Sequence, residues 1–264
     1  MITNESLIHY PILSKFNELT HFCTTRFGGV SAGTYGSFNL SPYTGDVLEN
    51  YTQNQHELAL ELGISVEQLL FPKQTHSDVV KVIDTSFFNL STEGKQIFLT
   101  GVDALITKEP RVCIAVTTAD CVPIMLYDSV HNVVAVVHAG WRGTCSRLVE
   151  KTLRAMRTHF GTNPIDVHAS IGVSISVAVY RVGEELVAEF EKQQYDTELI
   201  FNRSNEELYL DLWVANKWLL EQNAVPTSQI EIAGICSFTQ HERFFSARKL
   251  GLQSGRMLSG IMLR

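Results

Sequence analysis

The chain lacks any long basic run: no stretch of Lys and Arg exceeds the pair Arg248-Lys249. Its 21 Lys and Arg are outnumbered by 28 Asp and Glu, for a formal net charge of -7. A nucleic-acid-binding domain ordinarily carries a basic face, and this balance points to none. No CxxC pair occurs among the five cysteines, at positions 23, 113, 121, 145 and 236. An odd, unpaired set in so long a chain is the usage of a reducing compartment, where thiols stay free. The first residues, MITNESLIHYPILSKF, show no basic segment followed by an apolar one, so no signal peptide is expected. Apolar runs such as Val133 to Val137 are strand-length, far short of the roughly 18 residues of a membrane span. Together these absences predict a cytoplasmic protein with neither a membrane nor a nucleic acid as partner. Also missing are GxGxxG, a P-loop, HExxH and any His-x-His pair among the nine histidines.

What is present is enough for a sizeable core. Hydrophobic residues make up 45% and charged residues 19%, which excludes an intrinsically disordered chain. The 264 residues fit one large domain or two modest ones. No repeat or convincing linker divides them, so a single domain over 1–264 is expected. The best candidate break, Asn89 to Gln96, reads as a polar loop between apolar strands. Short β-branched runs at 102–107, 112–118, 123–127 and 132–138 predict strands, and the near-continuous VCIAV and VVAVV suggest burial on both faces. Strands are also expected at 19–24, 69–71, 79–83, 167–175 and 230–235. Helical spacing appears over 49–62, stopped by Gly63, over 143–160 and 184–193, and over 212–222 behind the N-cap Asp211. Strands outnumber helices and come in runs, so the class is α+β.

Three segments place soft or borderline metal ligands where a strand meets a turn: Gln74-Thr75-His76-Ser77, Thr118-Ala119-Asp120-Cys121-Val122-Pro123 and His138-Ala139-Gly140-Trp141-Arg142-Gly143. One Cys and two His suffice for a catalytic zinc, leaving a fourth coordination position open. The ligands are far apart in sequence, so spacing alone is a weak signal. A lone Cys at a strand end is ordinarily a buried apolar residue, and a lone His ordinarily a satisfied hydrogen-bonder. Asp120 reads as a general acid/base, as an orienter of a ligand His, or as a turn-forming Asp bonded to its own backbone. Arg26, Arg142 and Arg248 lie beside flexible glycines or a helix start, where an anion could be held. Each taken singly fits a surface ion pair better, and the neighbouring Phe27, Trp141 and Phe245 fit a core.

Taken together the segments resemble the YfiH-type, laccase-domain family, and the resemblance runs nearly end to end. It rests on T-R-x-G-G-V-S at Thr25 to Ser31, S-x-N-L at Ser37 to Leu40, Q-x-H at Gln74 to His76 and D-A-L-x-T at Asp103 to Thr107. At its centre are V-T-T-A-D-C-V-P at Val116 to Pro123 and V-H-A-G-W-R-G at Val137 to Gly143. Y-x-V-G at Tyr180 to Gly183, D-L-W-x-A-N at Asp211 to Asn216 and F-F-S-x-R at Phe244 to Arg248 follow. The resemblance implies a four-layer αββα fold of mixed sheets covered by helices. It implies one metal on His76, Cys121 and His138, with zinc ahead of copper. It also implies a catalytic set of Cys121, Asp120 and His138, with Arg26, Asn39, Gln74, Arg142, Phe245 and Arg248 as candidate contacts to substrate or phosphate. The chain departs from the family at 173–181, where paired cysteines, two prolines and an acid are replaced by Val173-Ser174-Ile175-Ser176-Val177-Ala178-Val179-Tyr180-Arg181. An altered substrate preference is the expectation there.

The activities implied are those of a zinc-dependent purine nucleoside enzyme. It would cleave adenosine, inosine and methylthioadenosine with phosphate and deaminate adenosine. The alternative is a Cys–His amide hydrolase with Cys121 as nucleophile, editing a peptidoglycan precursor by removing a misincorporated L-Ser. A single-copper polyphenol oxidase is the third reading. The family's multicopper label needs a cluster of many imidazoles, which a chain without His-x-His can hardly supply.

Overall fold

The computed structural model describes residues 2–264. Two mixed sheets lie face to face. The five-stranded sheet runs in the order Leu7–Ile8, Leu19–Thr24, Met257–Leu263, Cys113–Thr118, Leu69–Leu70. The six-stranded sheet runs Ile230–Ile232, Val167–Ile171, Val122–Asp128, Val133–Ala139, Ala104–Thr107, Val80–Ile83. A small third sheet joins Arg181–Val182, Glu207–Leu210 and Phe201–Ser204.

The period of two along each strand sorts side chains into three apolar layers. In Val133–Ala139, Val134 and Val136 point between the sheets, while Val133, Ala135, Val137 and Ala139 point to the outer face. There they meet Leu148, Val149, Leu153 and Met156 of the helix Leu148–Phe160, and Ala215 and Leu219 of the helix Leu212–Gln222. In Cys113–Thr118, Ile114 and Val116 point between the sheets, while Cys113 and Ala115 face Leu58 and Ala59 of the helix Leu48–Glu61. The result is helix, sheet, sheet, helix, as the resemblance implies. Each large apolar side chain so buried contributes about 1.5–3 kcal/mol, and the apolar runs are continuous because both faces of each central strand are covered. All five cysteines are free, and no helix among the described residues is long and apolar enough to cross a membrane.

Four details differ from the sequence expectation. The segment Asn89 to Gln96 is not simply a loop: Ser91 accepts the Gly94 amide and caps a helix over Thr92–Leu99. The expected helix 143–160 is two helices, Trp141–Cys145 and Leu148–Phe160, broken where Arg147 takes φ 61° and closes its amide on the Thr144 carbonyl. The strands expected over 167–175 and 230–235 stop at Ile171 and Ile232. Beyond them the chain forms loops that turn toward the site. The strand Met257–Leu263, central to its sheet, has no counterpart in the sequence reading. Gly260 interrupts its apolar pattern because a Cβ there would lie 2.8 Å from the Phe22 ring.

Candidate active site

Strand register brings two of the candidate ligands together. Val122 pairs with Ala139, so Cys121 and Gly140 face each other just past the end of the ladder. Gly140 is needed there for space: a Cβ would lie 2.8 Å from Cys121 Sγ and 3.4 Å from His76 Cδ2. On the other edge of the same strand Ala104 pairs with Val137, which sets Asp103 beside His138. The His138 amide donates to the Asp103 carbonyl at 2.8 Å, and His138 Nδ1 lies 2.7 Å from Asp103 Oδ1. That contact leaves Nε2 of the His138 ring for the cluster.

His76 arrives from a turn, not a strand. Its φ is 60°, a left-handed conformation that costs a residue with a side chain about 1–2 kcal/mol. Asp103 holds the turn in place. Its carboxylate accepts the amides of Thr75 at 3.2 Å, His76 at 3.1 Å and Ser77 at 2.7 Å, and the Ser77 hydroxyl at 2.8 Å. One buried acid therefore fixes both histidine-bearing segments. Burial opposes its charge, but His138 and the donors from Ser77 outweigh burial and hold its pKa at about 2. Such a depressed acid adds stability above the ~3.9 of an unfolded Asp. That stability is lost as the pH falls through about 2.

His76, Cys121 and His138 each offer one ligand atom, all within 4.8 Å of one another. Cys121 Sγ is 3.9 Å from His76 Nε2, and the two imidazole centroids are 5.0 Å apart, edge to face. Ligand atoms around a tetrahedral zinc sit roughly 3.3–3.6 Å apart, from bonds of about 2.0–2.3 Å. Small side-chain movements bring this set onto one ion, so the donors fit a single metal. Burial pushes the Cys121 thiol up, but the charge of His138 and hydrogen bonds from His138 and His76 bring it down to about 6. Burial lowers His138, but the Cys121 thiolate and Asp103 outweigh it and raise the imidazole to about 9. Near neutral pH the ion-free site therefore pairs a thiolate with a protonated His138, and a metal must displace that proton. Titrating metal-free protein with zinc near neutral pH should release about one proton, read as a dependence of the calorimetric heat on buffer ionisation enthalpy. Affinity should rise as the pH climbs through about 6, where the Cys121 thiol ionises, and on through about 9, where the His138 imidazole loses its proton. A pH-independent affinity without proton release would remove these side chains from the ligand set.

The cluster opens into a pocket of about 500 Å³, lined also by Tyr43, Gln74, Asp120, Trp141, Ile175, Tyr180, Arg248, Leu252 and Arg256. Arg248 lies with its guanidinium carbon 5.2 Å from the Tyr180 ring centroid and donates to the Arg181 carbonyl at 3.2 Å. Burial raises the Tyr180 phenol to about 12, so it keeps its proton and can donate. The Gln74 amide is locked on Thr117, donating to its carbonyl at 2.9 Å and accepting its amide at 2.8 Å.

A family model described as multi-copper polyphenol oxidoreductase laccase matches residues 20–264. The chain belongs to this family. Within the laccase-like family it is 44% identical to a purine nucleoside phosphorylase of Bacteroides thetaiotaomicron, over 98% of this chain and 97% of that protein. It is 38% identical to an adenosine deaminase from an unknown prokaryotic organism, over 91% and 92%. Among solved structures, YlmD of Geobacillus stearothermophilus superposes with a TM-score of 0.91 at 28% identity, covering 100% of this chain and 98% of that one. YfiH of Bacillus licheniformis gives 0.90 at 28%, covering 98% and 97%. The family description names several coppers. The described residues of this member gather one three-residue cluster of the kind that could hold an ion.

The laccase-like fold brings some of the expected residues together and not others. His76, Cys121, His138, Asp120, Gln74 and Arg248 line one pocket. Arg142 stacks on Trp141 at 4.3 Å, and it is Trp141 that faces the pocket. Arg26, Asn39 and Phe245 are engaged elsewhere. Arg26 donates to the carbonyls of Gly36 at 3.0 Å and His241 at 2.6 Å, and stacks on Phe245 at 5.0 Å. Phe245 is fully buried. Asn39, also buried, donates to Thr44 at 3.1 Å and Asp46 at 3.0 Å and accepts the Arg256 amide at 2.9 Å, which shapes the loops carrying Tyr43 and Arg256. The run Gly29 to Gly33 has the G-x-S-x-G spacing of a nucleophile elbow. Ser31 instead donates to Asp46 at 2.6 Å and accepts from Asn54 at 3.0 Å, a structural role. Sequence reasoning met Asp103 and Tyr180 only as motif residues and gave neither of them, nor Arg256, a role. The signal for Asp103 was an acid opening a strand apolar on both faces, which demands a partner.

Proposed function

We propose that this chain is a zinc-dependent purine nucleoside enzyme, cleaving adenosine, inosine and methylthioadenosine with phosphate and deaminating adenosine. The observation that carries the reading is the opening of the His76–Cys121–His138 cluster into a pocket that also holds Arg248, Tyr180 and Trp141. The names of the phosphorylase and deaminase relatives support the same substrate class. Held by the three ligands, zinc supplies a Lewis acid and an open coordination position.

The chain's own residues supply the rest. In phosphorolysis an oxygen of phosphate bonds to the anomeric carbon of the ribose, and the glycosidic bond breaks with its electron pair leaving on the purine. Arg248 has guanidinium donors beyond the one spent on Arg181, enough to orient a phosphate oxygen. Tyr180, kept protonated, offers a hydrogen bond to a purine nitrogen. Trp141, half-buried at the rim with Arg142 stacked on it, offers an aromatic face for the base.

The test is product analysis on adenosine with and without phosphate. Ribose 1-phosphate and free adenine should form only with phosphate, and inosine should accumulate in its absence. Arg248→Ala should weaken the use of phosphate by about 10–100-fold, since a lost charge-assisted contact is worth roughly 1.5–3 kcal/mol. Equal base release with and without phosphate would make water the nucleophile and overturn the phosphorylase reading.

One observation favours the second reading, a Cys–His amide hydrolase acting on a peptidoglycan precursor. Asp103, His138 and Cys121 form a line in which the acid orients the imidazole and the imidazole draws down the thiol. That is also how a nucleophilic cysteine is built. Thiol chemistry with and without metal separates the two.

A further inference from the structure

Asp120 has the position of a catalytic acid or base, one residue from Cys121 and in the pocket lining. Its bonds describe a different task. Oδ1 accepts the Ser237 hydroxyl at 2.7 Å, and Oδ2 accepts the Arg248 amide at 2.7 Å. Its main-chain carbonyl accepts the Ile175 amide at 2.9 Å. The residue is buried and sits at φ 88°, a strained conformation that persists only where the surroundings hold it. Three segments far apart in sequence thus converge on one residue: the 236–240 turn and the short helix Ala247–Leu250 on its side chain, and the divergent 173–181 loop on its main-chain carbonyl.

The same segments are tied to one another. The Ser176 amide donates to Cys236 Sγ at 3.4 Å, and Trp213 donates to Ser174 at 2.6 Å. Ser246 caps the short helix by accepting the Lys249 amide at 3.2 Å. Both carboxylate oxygens of Asp120 therefore serve as anchors. The group they place is Arg248, whose backbone is pinned by Asp120 and whose guanidinium lies over Tyr180.

We infer that Asp120 is a positioning residue: it clamps the backbone at Arg248, so that the guanidinium faces the metal pocket, and it transfers no proton. The inference rests on the purine nucleoside reading for its activity readout only. Asparagine can make both bonds of the clamp. Its Oδ1 accepts the Arg248 amide, and its Nδ2 donates to Ser237 Oγ, whose own hydrogen rotates away. Alanine can make neither.

The experiment compares Asp120→Asn, Asp120→Ala, Arg248→Ala and the double variant Asp120→Ala/Arg248→Ala, with adenosine and inorganic phosphate as probes. Asp120→Ala should lose about 10–100-fold in kcat/KM, no more than Arg248→Ala does, the scale of a displaced contact. Asp120→Asn should stay within about tenfold of the parent, since neutral hydrogen bonds replace charge-assisted ones, and should keep the shape of its pH–rate profile. The double variant should fall no further than Arg248→Ala alone, within about twofold. Amide exchange at Arg248 should accelerate in Asp120→Ala and not in Asp120→Asn. Ser237→Ala removes one arm of the clamp without touching the acid, and should lie between if Asp120→Ala proves unstable. Asp120→Asn as inactive as Asp120→Ala, or with a limb of the pH profile abolished, would overturn the clamp in favour of proton transfer. So would unchanged Arg248 exchange in Asp120→Ala. If the parent protein turns over no nucleoside, the purine reading falls, and amide exchange alone decides the clamp.

Discussion

Cys121→Ser should leave the protein folded and strip it of its metal, taking nucleoside turnover with it. A serine hydroxyl does not ionise at neutral pH and cannot replace a thiolate ligand. The loss of affinity should exceed the roughly 10–100-fold that follows removal of a partner outside the ligand set. Folding should survive because Cys121 lies beyond the sheet ladder and contributes to none of the three apolar layers. Elemental analysis of purified protein should show about one zinc per chain in the parent and little in the variant. Thiol chemistry extends the test. In the loaded protein Cys121 should alkylate slowly with iodoacetamide, because the ion shields the thiolate. After chelation it should alkylate quickly, its pKa being low, and activity should return with zinc. Full zinc occupancy in Cys121→Ser would remove this residue from the ligand set. Fast labelling of loaded protein whose activity survives chelation would instead favour the cysteine hydrolase.

Asp103→Ala should be the most damaging single change outside the ligands. It deletes the acceptor for three amides, one hydroxyl and one imidazole. Removing one partner of a buried charged pair costs about 3–5 kcal/mol, a fall in Tm of roughly 6–20 °C at this chain length. Metal affinity should drop a further 10–100-fold or so, because His76 loses its turn and His138 its tautomer. Asparagine should rescue little: its amide can meet the imidazole or the row of N–H donors, but not both as an acceptor. A differential scanning melt and a competitive zinc titration read the two effects. A variant with parental Tm and affinity would show that the His76 turn holds itself.

The layers were legible in the sequence because they are local: a strand covered on both faces reads as VVAVV wherever it sits. The candidate ligands were named by the resemblance, since a lone Cys or His is a weak signal by itself and only the fold brings these three together. Asp103 was hidden because its importance lies in five long-range bonds, not in its neighbours along the chain. The helix Thr92–Leu99 was hidden by its polar first turn, where Ser91 acts as cap. Arg26 and Phe245 became site candidates through the resemblance, while the residue reading alone had put Phe245 in a core. In the fold Gly29, near Arg26, makes room for the backbone at 37–38, and Gly255 makes room for the buried Phe245 ring. The strand Met257–Leu263 escaped notice because Gly260, required by Phe22, breaks the pattern that marks its partners.

That last strand also sets the order in which the protein can come into being. It pairs on one side with Leu19–Thr24 and on the other with Cys113–Thr118, so two strands made early wait for one made late. At ribosomal speeds of about 5–20 residues per second, the wait after residue 118 is on the order of ten seconds. Throughout it a nascent chain displays two unpaired edges and sheet faces that later become interior, the conditions under which chains stick to one another. Contacts of such long range also slow closure once the strand emerges. Cys121, three residues past one of the waiting strands, lies where its metal pocket cannot be completed before the sheet. The pocket around the candidate ligands, which Arg248 and Arg256 complete, then belongs to the end of biosynthesis.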